Sequence, residues 1–455
     1  MLEAHPTAVD ELVRSLPGRV HVPGSPEYLD GVTVWNGAVT ARPAVVVRPR
    51  SSADVQTAVR FARDRCVAVT VRGGGHDWAG RSLNDGGLVI DLTAMRQVRV
   101  DPAACEAVVE GGATVDDVVR AAEPHGLTAA SGNIGDVGFV GFTLGGGYGP
   151  LNGIAGLGLD NMIEAHVVLA DGSLVAASAD SEPDLFWALR GGGANFGVVT
   201  QLRVRLHPVT SITTGVLMFG WEQAADVLRR YDALLPSLPD PLTVACGVLS
   251  APDGAPVVFL APTWAGDPGA ADHWLGEVRG FGSPVLEQIA PMPPSVQMHL
   301  LDDFVPRGRH YELRTVNVDA LSAPVIDALV AAGSARTSEM SAISLHHFHG
   351  APTRVGVTDT AFGLRTPHLV VEIIAAWEKS DPDASRHRHW AQSLFSELSP
   401  HALPGGYPNL IGPEQHGQAD AAYGPNTRRL LDVKNRWDAA NVFTATPLPS
   451  QSSTP

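Results

Sequence analysis

The sequence predicts an α+β protein made of two main parts and a short C-terminal segment. Its 455 residues are too many for one ordinary hydrophobic core. Short strand-like and helical runs alternate up to residue 208, whereas the strands predicted after residue 209 alternate polar and apolar residues, as in an antiparallel sheet. We therefore expect a mixed domain over 1–208, with its core from about 38, and a second domain over 209–405 whose antiparallel sheet is covered by helices.

The first part contains runs typical of both strands and helices. Predicted helices are 51–65, capped by Ser51 or Ser52, and 114–126, ended by Gly126. The predicted strands are 43–50, the segment before the first glycine cluster (67–72), 86–95, 106–113 and 195–208, with a hairpin over 165–178 that turns at Asp171-Gly172.

The second part and the C-terminus complete the expected fold. Strands are predicted at 211–221, 241–250 and 367–379, and helices at 223–235 and near the start of 426–443. The last residues, 448–455, are rich in Ser and Pro, and we expect them to be disordered.

Charge and composition exclude several classes of protein. The formal net charge of −16 argues against a nucleic-acid partner, which would require a basic face. No apolar run approaches the ~18 residues of a membrane span, and the first residues do not resemble a secretory signal, so we expect a cytoplasmic protein. Cys66, Cys105 and Cys246 are too few and too scattered for a disulfide framework or a cysteine zinc site.

Three glycine clusters lie in the first part: RGGGH (72–76), GFTLGGGYG (141–149) and RGGGANFG (190–197). Such loops expose backbone N–H groups that bind phosphate, and the missing Cβ atoms let a flat ring approach. The alternative is three tight turns, but each cluster includes a side chain with chemistry to offer: His76, Tyr148 or Asn195. The spacing fits neither a G-x-G-x-x-G dinucleotide site nor a Walker loop.

Several segments carry a resemblance to a known family. They are PAVVVRPRSSADVQTAVRFAR, VAVTVRGGGHDWAG, VGFVGFTLGGGYGPLNGIAGLGLDN, DLFWALRGGGANFGVVT and YGPNTRRLLDVKNRWDAANVF. In this order, over about residues 35–445, they resemble the berberine bridge enzyme-like FAD-linked oxidases of the vanillyl-alcohol oxidase superfamily. The resemblance implies a two-part PCMH-type FAD-binding domain, a substrate-binding domain, and a segment 406–447 that returns to the FAD domain.

The resemblance also implies FAD as the cofactor and His76 as its covalent attachment point, at the flavin 8α-methyl. A neutral imidazole held near that carbon is a competent nucleophile. Many relatives add a second link from a cysteine, but Ile134 stands at that position, so we expect attachment through His76 alone. The other cofactor contacts implied are Arg72, Gly73, Gly74, Gly75, Gly80, Val137, Gly138, Gly141, Leu144, Gly145, Asn195, Gly197, Val199, Tyr423 and Asn426.

The same resemblance indicates the catalytic groups: Tyr407, Glu372 and Tyr148. Glu372 stands among apolar residues, where burial would raise its pKa and suit a base near neutral pH, although on a half-exposed strand it could instead face solvent. We expect Tyr407 to be the base for an alcohol for that reason, while packing alone remains the alternative for Tyr407 and Tyr148. Val137 occupies the position that gates oxygen in relatives, and its small side chain favours an oxidase.

Three histidines in HHFHG (346–350) raise the question of a metal. His347 and His349 can face the same way on a strand, but no third or fourth ligand is evident, so we expect a polar substrate-facing or surface loop. The predicted function is thus an FAD-dependent oxidase of a small molecule, such as a secondary metabolite or a sugar, with O2 as acceptor. The alternatives are a flavin-dependent cyclase or dehydrogenase and a non-catalytic protein of the same fold.

Overall fold

Three β-sheets organise the computed structural model, which describes residues 6–450. The first has four strands in the order β1-β2-β4-β3, and β2, β4 and β3 run parallel to one another. The second has five antiparallel strands in the order β5-β6-β9-β7-β8. The strands are β1 (Val20–His21), β2 (Val45–Val47), β3 (Val69–Arg72), β4 (Leu88–Asp91), β5 (Val98–Asp101), β6 (Glu106–Glu110), β7 (Met162–Val168), β8 (Leu174–Ser178) and β9 (Val198–Arg205).

Helices cover these two sheets because each helix has an apolar face that packs on a sheet. Val55, Ala58, Val59 and Ala62 of α3 pack with Val45, Leu88 and Ile90 of the first sheet, and α7 packs in the core of the second. The helices are α1 (Pro6–Ser15), α2 (Pro26–Val32), α3 (Ser52–Asp64), α4 (Val115–Ala122), α5 (Phe139–Leu144), α6 (Asn152–Ala155) and α7 (Pro183–Gly192).

The third sheet has seven antiparallel strands in the order β13-β10-β12-β11-β15-β16-β14. They are β10 (Ile212–Gly220), β11 (Leu242–Ser250), β12 (Pro256–Trp264), β13 (Pro284–Met292), β14 (His310–Val318), β15 (Ala342–Phe348) and β16 (His368–Trp377). One face packs on four helices: α8 (Ala224–Leu234), α9 (Pro268–Arg279), α11 (Ala323–Ser334) and α12 (Ala384–Leu398). The short helix α10 (Pro294–Gln297) lies between α9 and α11 in the sequence. The opposite face of β14, β15 and β16 carries the polar side chains described below.

The last two helices pack back against the first part of the chain. They are α13 (His416–Ala421) and α14 (Thr427–Trp437). Leu430 and Val433 of α14 share a core with Leu185 of α7, and the Arg429 guanidinium lies 4.1 Å from the Trp187 ring centroid. The C-terminal segment therefore buries its apolar face on the mixed domain rather than on the seven-stranded sheet.

The predicted α+β class, with its antiparallel sheet covered by helices, is confirmed, as are the helix capped by Ser51 and the hairpin turning at Asp171-Gly172. Two predicted strands are too long: 195–208 is reduced to Val198–Arg205, and 86–95 ends at Asp91 before a 3₁₀ turn. Of the tail expected to be disordered, residues 451–455 lie outside the described residues. Within 6–450, no helix is long and apolar enough to cross a membrane.

Candidate active site

The first two glycine clusters meet backbone to backbone. A Cβ on Gly74 would lie 2.2 Å from the Gly138 nitrogen, and one on Gly138 would lie 2.3 Å from the Gly74 nitrogen. No side chain fits between the loops, which explains glycine at both positions. Gly138 also begins α5, whose first turn has no side-chain cap, and a Cβ on Gly141 in that turn would meet open space.

His76 follows the first cluster and is held on two sides. Its ring stacks on Trp35 with centroids 5.5 Å apart, and its Nε2 lies 2.6 Å from Asp136 Oδ1. Burial lowers the pKa of His76, and the opposing attraction of Asp136 does not reverse that direction. The imidazole is therefore neutral at physiological pH, as a nucleophile must be.

A second polar group forms where the seven-stranded sheet faces the glycine loop after α5. Glu372 on β16 stands directly opposite Ser344 on β15, so His346 projects from the same face two residues further along. The Tyr148 hydroxyl donates a hydrogen bond to Glu372 Oε1, and His346 Nε2 lies 3.6 Å from Glu372 Oε2. The Glu372 side chain is only 16% exposed, so the alternative that it faces solvent is wrong.

The expected rise in the pKa of Glu372 is also wrong. Burial alone would raise this pKa, but the Coulomb attraction of His346 and the hydrogen bond from the Tyr148 hydroxyl lower it below the usual glutamate value. Glu372 is therefore a buried carboxylate that stays ionised at neutral pH. Burial and the charge of Glu372 raise the pKa of Tyr148, which keeps that hydroxyl protonated.

Tyr407 lies against the same glycine loop. Its hydroxyl oxygen accepts hydrogen bonds from the backbone N–H of Gly147 at 2.7 Å and from Asn409 Nδ2 at 3.2 Å. Its ring packs edge-on against Tyr148, with centroids 4.7 Å apart, and covers Gly146, where a Cβ would lie 2.3 Å from the ring. Burial raises the pKa of Tyr407 to about 12 despite these two donors, so the phenol is neutral.

Several residues predicted to contact the cofactor are engaged with the protein itself. Arg72 binds Asp91 at 3.1 Å and the Thr33 carbonyl at 3.2 Å. Asn195, in the third glycine cluster, donates to the Gly192 and Thr446 carbonyls and accepts from the Ala445 and Thr446 amides. This cluster packs against the C-terminal segment, and its Gly193 N–H donates to the Leu144 carbonyl at 3.3 Å, at the end of α5.

The remaining predicted contacts lie in the cores or at close backbone approaches. Tyr423 donates to the Pro447 carbonyl at 3.0 Å, and Asn426 Nδ2 donates to the Val357 carbonyl at 2.7 Å. Val137, Leu144 and Val199 pack in the core around α5 and α7. Gly73, Gly75, Gly80, Gly145 and Gly197 face neighbouring backbone or side chains: a Cβ on Gly145 would lie 1.9 Å from Asn409 Oδ1. Their cofactor roles stay predictions.

The histidines of HHFHG do not form a surface loop. His346 and His347 belong to β15, and His347 and His349 are each only 6% exposed, with rings stacked 4.4 Å apart. Burial lowers the pKa of His347 to about 3 and that of His349 to about 4, so both are neutral. No group of three or more His, Cys, Asp or Glu side chains within residues 6–450 could hold a metal ion.

The residues present fit FAD. Beside the close approach of Gly74 and Gly138, α5 begins without a side-chain cap; the Phe139 amide donates to the Ala113 carbonyl, and the next amides of the turn are the ones that would face phosphate oxygens. The buried Thr143 Oγ1 makes no hydrogen bond to the described residues, and so it has a free polar atom for a ligand beside this loop. A neutral His76 next to the same loop completes a set of groups suited to a flavin dinucleotide.

Fold and site together define a flavin-linked oxidoreductase. Residues 43–178 match the FAD binding domain family, and residues 406–447 match the family described as berberine and berberine like. The chain belongs to the berberine bridge enzyme-like FAD-linked oxidoreductases, which confirms the resemblance, the enzyme class and FAD as the cofactor of the family fold.

Individual relatives agree over nearly the full chain. An FAD-linked oxidoreductase of Dictyostelium discoideum is 30% identical over 440 residues, which are 96% of this chain and 95% of that protein. The (R)-6-hydroxynicotine oxidase of Paenarthrobacter nicotinovorans is 30% identical over 454 residues, or 94% and 96% of the two chains. The crystal structure of 6-hydroxy-D-nicotine oxidase from Arthrobacter nicotinovorans superimposes with a TM-score of 0.87 at 27% identity, covering 96% of this chain and 98% of that one.

Sequence reasoning missed two partners of the predicted residues: Asp136 beside His76 and His346 beside Glu372. His346 had a signal, because residues two apart on a strand face the same way and His346 stands two residues after Ser344. Asp136 stands in the segment NIGDVGFVG, two residues after Ile134, which occupies the cysteine position.

Proposed function

We propose that this enzyme is an oxidase of a small molecule, a secondary metabolite or a sugar, and that it acts on an alcohol carbon or on an amine- or phenol-type carbon. When bound, FAD would supply the hydride acceptor for that carbon, N5, and the route for the electrons to O2, which would give hydrogen peroxide. The observation that carries the proposal is the ionised Glu372, held with Tyr148 and Tyr407 against the glycine loop of the FAD-binding part.

We assign proton removal to Glu372 and substrate orientation to Tyr407 and Tyr148. A base must accept a proton at working pH, and Glu372 is the member of the three that is ionised there. The sequence favoured Tyr407 as the base because Glu372 could face solvent, and Glu372 does not, since its side chain is only 16% exposed. Tyr407, with its hydroxyl oxygen already accepting two hydrogen bonds, retains its own proton to donate to a substrate oxygen.

We further propose that FAD is attached by one covalent bond, from His76. The neutral imidazole beside the glycine loop supports this link, and the presence of Ile134 at the cysteine position supports the absence of a second one. Acid precipitation tests it: flavin should stay with the parent protein and appear in the supernatant of His76→Ala. A flavin adduct on a cysteine-containing peptide in mass spectrometry would contradict a single link.

Hydrogen peroxide release across a panel of alcohols, glycosides, amines and polyketide or polyphenol intermediates tests the oxidase reaction. Stopped-flow mixing of reduced enzyme with air-saturated buffer gives the reoxidation rate. Rapid reoxidation with stoichiometric peroxide supports an oxidase, whereas slow reoxidation with rapid substrate turnover through another acceptor would identify a dehydrogenase or a cyclase instead.

We retain domain boundaries at 208/209 and 405/406 as part of the proposal, supported by the change of sheet at β10 and the return of α14 to α7. A cytoplasmic location is also proposed: the three cysteines are free in the structure, as expected in a reducing compartment. Fractionation of the producing cells tests the location.

A further inference from the structure

The His76 ring is held in a prepared position. Trp35 stacks on it, and the Trp35 backbone N–H donates to the Gly75 carbonyl at 2.8 Å, which joins the stack to the glycine loop. Trp35 in turn stacks on Tyr311 of β14, with centroids 3.8 Å apart. The ring plane of His76 is therefore fixed by the contact between the first part of the chain and the seven-stranded sheet.

Asp136 places a negative charge beside one nitrogen of the ring. Its Oδ1 lies 2.6 Å from His76 Nε2, while its Oδ2 accepts from Arg307 Nε at 2.6 Å. Arg307 Nη2 also donates to the Gly74 carbonyl at 2.9 Å, so the carboxylate and the glycine loop are held by one guanidinium. Two charged side chains act on the pKa of His76 in opposite directions: Asp136 raises it and Arg307 lowers it.

A carboxylate at Nε2 selects one imidazole tautomer. His76 Nε2 lies 2.6 Å from the carboxylate without making a hydrogen bond, and the negative charge on that side favours the tautomer with its proton on Nε2, which leaves the lone pair on Nδ1. Burial lowers the pKa of His76 and so keeps the ring neutral, while the pKa of Asp136, which burial alone would raise, is lowered to about 2 by His76 and Arg307. The pair is thus an ionised carboxylate beside a neutral imidazole.

We propose that Asp136 is the positioning residue for covalent flavin attachment, holding His76 with Nδ1 as the nucleophile and stabilising the positive charge that develops on the ring as the bond forms. The inference rests on the proposed link to His76. An aspartate that orients a histidine and stabilises its cation without itself being protonated is established chemistry in serine hydrolases.

Attachment balances with dioxygen as the oxidant. One C–H bond of the 8α-methyl and the imidazole N–H are replaced by one C–N bond, and the two electrons remain on the flavin. One of the two protons goes to the flavin ring, and the other leaves from Nε2 past Asp136 to water. Dioxygen then takes the two electrons, with two protons, and forms hydrogen peroxide.

An opening beside Asp136 provides the path for that proton. A cavity of about 180 Å³ is lined by Ile134, Asp136, His299, Asp302, Val305 and Arg307, among others. The Asp136 side chain is 47% exposed, although it contacts a histidine that is only 11% exposed. The carboxylate therefore connects a buried nucleophile to solvent.

The test measures attachment itself. Protein produced under riboflavin starvation is mixed with FAD, and acid-stable flavin fluorescence per chain is followed over time for the parent, Asp136→Asn and the control Asp302→Asn. Asp302 lines the same cavity and pairs with His299 instead of His76. We expect attachment about 10²-fold slower in Asp136→Asn, parental rates in the control, and retained non-covalent FAD binding in both.

Two further measurements distinguish a role of Asp136 in positioning His76 from a purely structural role. Because Asp136 opposes the burial-induced fall in the pKa of His76, its loss should move the acid limb of the attachment rate to lower pH. Formate, a small carboxylate that enters the open cavity, should accelerate attachment in Asp136→Ala and leave the parent unchanged.

Parental attachment rates in Asp136→Asn would overturn the inference while leaving the His76 link intact. Loss of non-covalent FAD binding in that variant would also overturn it, because the role of Asp136 would then be structural. A parent protein without acid-stable flavin would instead refute the proposed link, and this inference would fall with it.

Discussion

Replacing Glu372 with glutamine removes the negative charge at the centre of the active site and changes little else. The amide has the same shape, and its oxygen still accepts the Tyr148 hydroxyl proton. If Glu372 is the base, the rate of anaerobic flavin reduction by substrate should fall by about 10²–10⁴-fold, or about 2.7–5.4 kcal/mol of activation free energy. Substrate binding should change much less.

The pH profile of reduction gives a second, independent result. Because the folded protein lowers the pKa of Glu372 below 4.5, the carboxylate is present at neutral pH and is lost only as the pH falls through that lowered value. The parent should therefore hold its rate down to acidic pH, and the midpoint of the loss should lie below that of an ordinary glutamate. In Glu372→Gln this limb should be absent.

Glu312→Gln is the matched control. Glu312 lies on the neighbouring strand β14 with a side chain that is also 16% exposed, but it pairs with Arg314 and Arg388 instead of Tyr148. It should reduce at the parental rate. Parental reduction in Glu372→Gln, or an equal loss in Glu312→Gln, would show that the Glu372 carboxylate does not take the proton.

Two further substitutions test neighbouring assignments. Tyr407→Phe leaves the Gly147 N–H without its acceptor, while Asn409 keeps its hydrogen bond to the Phe142 carbonyl. The free energy of unfolding should therefore fall by about 1–3 kcal/mol. Flavin reduction by substrate should be slower, with an unchanged pH profile. The control for thermal unfolding is Tyr231→Phe, which removes a buried hydroxyl from the core of the seven-stranded sheet. If Tyr407→Phe loses the pH-dependent limb of flavin reduction, Tyr407 is the base. Val137→Leu should slow reoxidation by O2 about tenfold, a barrier of about 1.4 kcal/mol, and spare reduction by substrate; equal reoxidation rates in stopped-flow would contradict the gate.

The elements were predictable where local chemistry determines them. Ser51 accepts a hydrogen bond from the Asp54 amide as an N-cap should, and Gly126 adopts the left-handed conformation, with φ of 69°, at the end of its helix. The extent of the strand at 195–208 was not local in origin. The strand ends where its pairing with β6 and β7 ends, and the residues of the strand itself do not indicate how long β6 and β7 are.

The site was predictable only where one segment contains the whole signal. The glycine loop and His76 are contiguous, so their relation could be read directly. Arg307, which holds Asp136 and Gly74 together, comes 171 positions after Asp136 in the sequence, from the loop before β14. Nothing near either residue in the sequence indicates that pairing, which depends on how the seven-stranded sheet docks onto the first part of the chain.

The error over Glu372 has the same origin and shows what a strand sequence omits. Its neighbours along the chain are valine and isoleucine, so burial was the only influence visible, and burial raises the pKa of a carboxylate. Alternation places those neighbours Val371 and Ile373 on the helix-covered face, leaving Glu372 on the other. There its surroundings are set by cross-strand register, which brings His346 Nε2 to 3.6 Å from the Glu372 carboxylate. The sign of the pKa shift thus depends on His346, which the sequence had placed only in a polar substrate-facing or surface loop and not beside Glu372.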